Sequence, residues 1–150
     1  MAGRDYSLLD YFIECGKKND PLLAYRGGDI SEWQALLRAK VYELLGSFPQ
    51  AVGLEAETIW EIEEAGLIKE KIVFNSESMA SIPAVVVKRA DLDPDRRYRT
   101  ILCLHGHGPF GKDSVVGVRS TQEHRDIILL YNYDYAVQFA QRGYIAICPV

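Results

Sequence analysis

The chain has 150 residues, enough for a domain with its own core, and 48% of them are hydrophobic while 25% are charged. These proportions are typical of a globular protein and exclude a disordered or fibrous class. The formal net charge is -4, so nothing favours a nucleic-acid partner, and no apolar run approaches the roughly 20 residues that span a membrane.

Residues 1–56 are predicted to form an N-terminal helical extension. Its first residues mix charged and apolar side chains, unlike a secretory signal, which favours a cytoplasmic protein. The first helix is predicted to have Asp5 as its N-cap and Gly16 as its stop. Its apolar side chains recur on one face and predict packing, and they are Tyr6, Leu8, Leu9, Tyr11, Phe12 and Ile13.

The second helix carries the clearest helical pattern in the chain. Ser31 and Gln34 fit a capping box at its start, and Gly46 ends it. Its apolar stripe is also predicted to pack, and consists of Trp33, Leu36, Leu37, Val41, Leu44 and Leu45. The alternative for Trp33 is a platform for substrate, although an aromatic residue on an apolar stripe is normally core.

From residue 57 onward the pattern becomes that of a sheet. Residues 58–64 alternate with a period of two, and Gly66 turns the chain into a second strand over residues 67–74. A polar connection over residues 75–81 leads to a β-branched strand over residues 82–89. Together these segments predict the antiparallel opening strands of a sheet.

Residues 100–104 form a short apolar run that stops in a His-Gly-His-Gly turn. The run predicts a central strand buried on both faces of a parallel sheet. Gly106, Gly108 and Gly111 follow it, and glycines let backbone N–H groups come close to a ligand. We therefore expect a site built from the backbone at this turn.

A long connection over residues 112–131 is predicted to be a loop that shapes a substrate site. A third helix then begins at Asn132 or Asp134 and ends at Gly143. Residues 144–150 return as an apolar strand, parallel to the strand before the helix. Because this last strand would expose a hydrophobic edge, we expect the chain to be a truncated part of a longer protein.

The LHGHG sequence after a buried strand, followed by a helix ending in QRGY and an apolar strand ending in proline, resembles the α/β-hydrolase fold. The closest likeness is to the acetyl xylan esterase and dienelactone hydrolase-like branch, over roughly residues 59 to 150. The resemblance implies an α/β class and the N-terminal half of that fold. Residues 57–150, which follow the leading helices in the chain, would form a mixed, mostly parallel sheet.

The resemblance also implies a parent serine hydrolase that acts on carboxylic esters such as acetylated sugars. Its nucleophile lies in a Gly-x-Ser-x-Gly elbow, followed by an acid and a histidine. This sequence contains no such elbow, so the three catalytic groups are expected beyond Val150 and none in this chain. The 150-residue chain alone is expected to be inactive.

In such enzymes the loop after this strand gives one N–H group to the oxyanion hole. His107 is the first choice of donor and Gly108 the second, whereas Pro109 has no N–H. His105 and Gly106 are expected to support the loop or the pocket, because the family's catalytic histidine lies near the C-terminus.

Asp113 is likewise expected to support the loop, by capping or anchoring the segment that follows, because the acid of the family comes later in the chain. The side chain of His107 either lines the pocket or lies on the surface. The expected partner is a small-molecule ester, with no cofactor, nucleic acid or membrane, and a homo-oligomer is left open.

Three alternatives remain open at this stage. His105, His107 and His124 with Cys103 could ligate zinc, although glycines beside histidines are better explained by close backbone approach. A Cys103 thiolate could be a nucleophile, although a cysteine inside a strand is usually packing, and three widely spaced cysteines indicate no disulfide framework. The third alternative is a non-catalytic interaction module that keeps the fold.

Overall fold

The computed structural model describes residues 7–150 and divides into two compact units, residues 7–48 and 49–150. The first unit contains α1 (Leu8–Lys18) and α2 (Ile30–Leu45). The second contains β1 (Glu57–Glu64), β2 (Leu67–Glu77), β3 (Ala80–Arg89), β4 (Thr100–Leu102), α3 (Lys112–Val115), α4 (Gln122–Tyr131), α5 (Tyr135–Gln141) and β5 (Ile145–Pro149). Within residues 7–150 no helix is both long and apolar enough to cross a membrane. The predicted domain division after residue 56 stays a prediction.

Helix α1 has its N-cap two residues later than predicted, and it also ends later than its sequence pattern predicts. The hydroxyl of Ser7 accepts a hydrogen bond from the amide of Asp10 at 3.1 Å, which caps the helix. The predicted stop at Gly16 is wrong, because the helix continues to Lys18, and lysines in the last turn suit the negative end of the helix dipole. The predicted N-cap Asp5 and the tyrosine after it lie outside the described residues.

Helix α2 is capped by an aspartate rather than by the predicted capping box at Ser31 and Gln34. The Asp29 carboxylate accepts hydrogen bonds from the amides of Ser31 at 2.7 Å and Glu32 at 3.3 Å. One carboxylate thus satisfies two of the free amides at the helix start. The predicted end at Gly46 is confirmed, with a φ of 77°.

The apolar stripes of these two helices do not form a buried core. Neither α1 nor α2 contains a buried residue in the part of the chain that is described. Trp33 is half-buried, its indole N–H donates to the carbonyl of Leu23 at 2.8 Å, and its ring lies 5.2 Å from that of Tyr25. The expectation that the apolar stripes of α1 and α2 form a core is therefore wrong for this unit. Trp33 instead packs against the loop before α2 and donates a hydrogen bond to it.

The second unit is built on a mixed five-stranded sheet with the order β1-β2-β3-β5-β4. The first three strands pair antiparallel, as predicted, and β4 pairs with β5 in parallel, as predicted for the strand-helix-strand unit. The predicted polar connection over residues 75–81 is wrong. Asn75 pairs with Ser81 and Glu77 with Ala80, so β2 and β3 continue as a long hairpin almost to its tip.

Strand β4 lies at an edge of this sheet, not in its centre. It pairs only with β5, and Leu102 and Leu104 are 61% and 63% exposed while Cys103 between them is buried. The prediction of a strand buried on both faces is therefore wrong in this structure. One face of the strand packs inward and the other face lies open.

Two helices occupy the segment predicted to be a long loop. Helices α3 and α4 both lie within residues 112–131, so the predicted absence of regular structure there is wrong. Asn132 ends α4 in the left-handed conformation with a φ of 51°, and Asp134 occupies the N-cap position of α5. The third predicted helix is confirmed as α5, and Gly143 follows it with a φ of 86°.

The core of this unit lies between the sheet and the short helices. Ala136 and Ala140 are fully buried on α5, and their small side chains let the helix lie close against β3 and β5. The buried cluster consists of Leu67, Val85, Val87, Cys103, Val115, Val116, Ala136, Ala140, Ala146 and Cys148. This packing fixes the end of β4, and with it the glycine-rich turn, relative to α5.

Candidate functional site

The turn after β4 is held at its entry by two hydrogen bonds, one to the sheet and one to α5. The amide of Cys103 donates to the carbonyl of Ile147 at 2.8 Å, which extends the parallel ladder one residue beyond β4. The phenolic hydroxyl of Tyr135, at the start of α5, donates to the carbonyl of Leu104. The backbone therefore enters the turn in a position set by both the sheet and α5.

Within the turn, the amides of residues 104–108 have no intramolecular acceptor in the described part of the chain. The amide of Gly111 donates to the carbonyl of Gly108 at 3.2 Å, and that of Asp113 donates to Phe110 at 3.0 Å. The amides of His107 and Gly108 donate to no group among residues 7–150. The turn is thus closed by its own hydrogen bonds while these two donors stay available to a ligand.

These two residues line a cavity of about 410 Å³. This volume lies within the usual range for small-molecule sites, and the wall combines apolar and aromatic side chains with a few polar groups. The lining residues are His107, Gly108, Pro109, Gly111, Ser114, Ile127, Tyr131 and Tyr133. The cavity therefore joins the glycine-rich turn to α3, to α4 and to the segment between α4 and α5.

Tyr133 lies directly over the turn. A β-carbon added to Gly106 would lie 2.7 Å from the Tyr133 hydroxyl oxygen, and one added to Gly108 would lie 3.8 Å from it. No real side chain tolerates the first of these distances unless the tyrosine moves. Gly106 therefore provides the space in which the phenolic hydroxyl approaches the backbone.

The histidine side chains of the turn take different positions. Nδ1 of His105 lies 3.0 Å from the carbonyl oxygen of Gly106, and its ring lies 3.5 Å from where a β-carbon of Gly111 would be. Gly111 itself has a φ of 48°, which favours glycine, so the turn can bend around the imidazole. His107 is exposed and lines the cavity.

Asp113 lies in the first turn of α3, where its carboxylate accepts a hydrogen bond from the Lys112 ammonium at 2.9 Å. Its backbone carbonyl accepts from the amide of Val118 at 2.8 Å. The side chain has a cationic partner and is not one of the cavity-lining residues. These contacts tie α3 to the segment that follows it.

His124 packs beneath the turn rather than in the cavity. Its ring lies 3.7 Å from that of Phe110, and its Nδ1 is 3.0 Å from the hydroxyl of Ser120. Its Nε2 is buried and has no partner among the described residues. The contact with Phe110 connects α4 to the glycine-rich turn.

The four residues considered for zinc are not assembled into a ligand set. Among residues 7–150 no group of three or more His, Cys, Asp or Glu side chains could hold a metal ion. Cys103 instead points into the core beside Cys148, and Nδ1 of His124 is engaged by Ser120. A mononuclear site needs three or four converging ligands, and this arrangement does not supply them.

Burial also removes Cys103 as an activated nucleophile. The thiol lies next to that of Cys148, and desolvation raises the pKa of both groups above the ordinary value of a cysteine thiol. A reactive cysteine needs a lowered pKa and access to solvent. The Cys103 side chain is therefore part of the packing at the end of β4.

Sequence reasoning missed the part of the cavity wall that comes after residue 113. Ser114, Ile127, Tyr131 and Tyr133 were all within or just beyond the segment predicted to be a loop. The one available signal was the close spacing of the tyrosines at 131, 133 and 135, which brings three aromatic rings together at one point of the chain. That signal does not indicate which backbone the tyrosines approach.

Comparisons with known proteins support the fold. No family model matches the chain, and no curated protein matches it. The structure is similar to the crystal structure of a protein provisionally assigned as an acetyl xylan esterase, from Bacteroides fragilis NCTC 9343, with 21% sequence identity and a TM-score of 0.68. The match covers 97% of this chain and 38% of that one, so the chain spans well under half the length of the protein it resembles.

Proposed function

We propose that this chain provides part of the active site of a serine hydrolase that acts on carboxylic esters, as the N-terminal half of an α/β-hydrolase fold. The fold shared with the Bacteroides fragilis protein supports an esterase-like architecture. The observation that carries the proposal is the pair of amides, His107 and Gly108, that have no acceptor among residues 7–150 and border a cavity.

The chemistry of acyl transfer explains why such amides matter. Attack of a serine hydroxyl on an ester carbonyl turns the carbonyl oxygen into an oxyanion, which fixed N–H donors stabilise. Collapse of this intermediate expels the alcohol and leaves an acyl-enzyme, which water then hydrolyses. The amide of His107 is our first choice of donor and that of Gly108 the second.

The remaining groups would come from outside this chain. The sequence has no Gly-x-Ser-x-Gly elbow, and the side chains of His105 and Asp113 are engaged at the turn and on α3. We therefore place the nucleophile, the acid and the catalytic histidine beyond Val150. Acetylated sugars are the substrates we favour, because the structural neighbour is provisionally assigned as an acetyl xylan esterase.

Expression of the full coding sequence that contains this segment, beside the 150-residue chain, tests the proposal. We expect the full protein to hydrolyse p-nitrophenyl acetate, and a serine-directed inhibitor to abolish the reaction. The 150-residue chain should be inactive. A full coding sequence that ends at Val150, or an inactive full protein, would overturn the proposal and favour an interaction module.

Two substitutions at one position then test the donor. His107→Pro removes the amide N–H, whereas His107→Ala keeps it and removes only the imidazole. Loss of one oxyanion donor typically lowers kcat about 100- to 1,000-fold, so the proline variant should lose activity on that scale and the alanine variant should not. If His107→Pro keeps full activity and Gly108→Pro does not, the second-choice amide is the donor; if both keep it, the turn provides no donor.

A further inference from the structure

The Tyr133 hydroxyl is a polar group with no assigned role. It forms no hydrogen bond with any group among residues 7–150, although the side chain is half-buried. Tyr135, two residues later, uses its hydroxyl to hold the carbonyl of Leu104. Two tyrosines of the same segment thus approach the same turn, one with its hydroxyl engaged and one with its hydroxyl available.

This hydroxyl lies against the same turn that carries the free amides. It lies above Gly106 and close to Gly108, which flank His107 on either side. All of the donors concerned border one cavity, since His107, Gly108 and Tyr133 line the same wall. A carbonyl oxygen that accepts from a turn amide in this cavity would therefore lie near the phenolic O–H.

The tyrosine is also held firmly enough to act as a fixed donor. Its backbone amide donates to the carbonyl of Ile128 at 3.1 Å, which anchors the residue to the last turns of α4. Its ring lies 6.4 Å from that of Tyr131 and 6.1 Å from that of Tyr135, and it packs against the buried core. Donors placed in advance are the ones that stabilise a developing charge most effectively.

We infer that Tyr133 is a catalytic residue of the proposed esterase, whose hydroxyl donates a hydrogen bond to the same oxyanion that the turn amide binds. The inference rests on the proposed function and adds a side-chain donor to it. The phenolic O–H acts as a hydrogen-bond donor to the oxyanion and transfers no proton. Gly106 is the residue that allows this approach, because any β-carbon would displace the hydroxyl.

The test compares Tyr133→Phe with Tyr144→Phe in the full protein. Both changes remove one hydroxyl from a half-buried tyrosine, and the Tyr144 hydroxyl also has no hydrogen bond among the described residues and does not line the cavity. We expect kcat for p-nitrophenyl acetate to fall about 100-fold in Tyr133→Phe. KM should stay within about two-fold, because the bond strengthens only as the oxyanion forms. Tyr144→Phe should match the parent in both constants.

Two further measurements separate catalysis from packing. Titration of the active serine with a serine-directed inhibitor counts folded enzyme, so kcat is expressed per folded molecule even if Tyr133→Phe folds less well. A trifluoromethyl ketone forms a tetrahedral adduct that carries an oxyanion, and its affinity should fall by the same factor as kcat. Unchanged kcat and unchanged ketone affinity in an active parent would overturn the role of Tyr133 alone, whereas an inactive parent would overturn the proposed function itself.

Discussion

The contact between Gly106 and Tyr133 gives a stability prediction that does not depend on any enzymatic activity. In Gly106→Ala, the new β-carbon would lie 2.7 Å from the tyrosine hydroxyl oxygen, whereas ordinary contacts lie at 3.4 Å or more. The backbone at Gly106 has no positive φ, so alanine itself fits the local conformation and the penalty comes from the contact. Only a shift of the tyrosine ring or of the turn relieves it.

The expected magnitude follows from two opposing effects. Forcing an extra methyl group into a packed site typically costs about 1–3 kcal/mol. Replacing glycine with alanine at a compatible position returns about 0.4–1 kcal/mol, because the unfolded chain loses freedom. We therefore expect Gly106→Ala to lower the free energy of unfolding by about 1–2 kcal/mol, measured by urea denaturation of the 150-residue chain followed by circular dichroism.

A double-mutant cycle identifies the contact responsible. Tyr133→Phe removes the oxygen that the β-carbon would meet, so Gly106→Ala should be nearly neutral in that background. Gly53→Ala is the matched control, because a β-carbon there would meet only the Glu55 side chain, at an ordinary distance of 3.8 Å. The reasoning is refuted if Gly106→Ala costs nothing in the parent, or costs the same in both backgrounds.

Further predictions concern a second glycine and the buried thiols. Gly117→Ala should lower the free energy of unfolding by about 2–4 kcal/mol, measured by urea titration. The φ at Gly117 is +75°, and the new β-carbon would lie 2.8 Å from Cγ2 of Val137. Adding Val137→Ala should therefore recover part of the lost stability. In the native chain, a thiol reagent at pH 8 should modify half-buried Cys15 well before Cys103 or Cys148, and equal rates would contradict the burial argument. Burial raises the pKa of the Cys148 thiol, so its contribution to stability is fully present below the unfolded pKa of about 8.5 and is lost as pH rises toward the folded pKa. Between pH 8 and 10 the parent should therefore lose up to about 2 kcal/mol more than Cys148→Ala, and parallel pH profiles would contradict this.

The strands that were predicted best are those whose pattern depends on neighbours close in sequence. The period of two after residue 57 and the β-branched run in β3 place three antiparallel strands correctly, because a hairpin needs only local turns to bring them together. The apolar run at residues 100–104 carries the same signal as a central strand. Its place at an edge depends on the order β3-β5-β4, which no local pattern encodes.

Helix α4 was missed because the apolar residues in its second half form an unbroken run. Its last five residues, 127–131, are apolar without interruption, and Leu129 and Leu130 are more than 70% exposed while Ile128 is buried. Such a run does not mark one face of a helix. A signal was nevertheless present at the other end, since the hydroxyl of Thr121 caps the helix by accepting from the amide of His124 at 3.1 Å.

For the candidate site, too, the sequence predicts the features that depend on neighbouring residues and misses those that depend on long-range packing. Glycines at 106, 108 and 111 predict from sequence alone that another group approaches the backbone of this turn closely, and the structure places the Tyr133 hydroxyl against Gly106. The sequence does not indicate which group approaches the backbone at Gly106. That group belongs to Tyr133, which comes after α4 in the chain and reaches the turn only through the packing of the fold. A glycine marks where a side chain would not fit, and only the packing of α4 and α5 against the sheet determines which atom occupies the space. In this protein that atom is the hydroxyl oxygen of Tyr133. The absence of a side chain at Gly106 therefore points to the tyrosine that we infer to be catalytic.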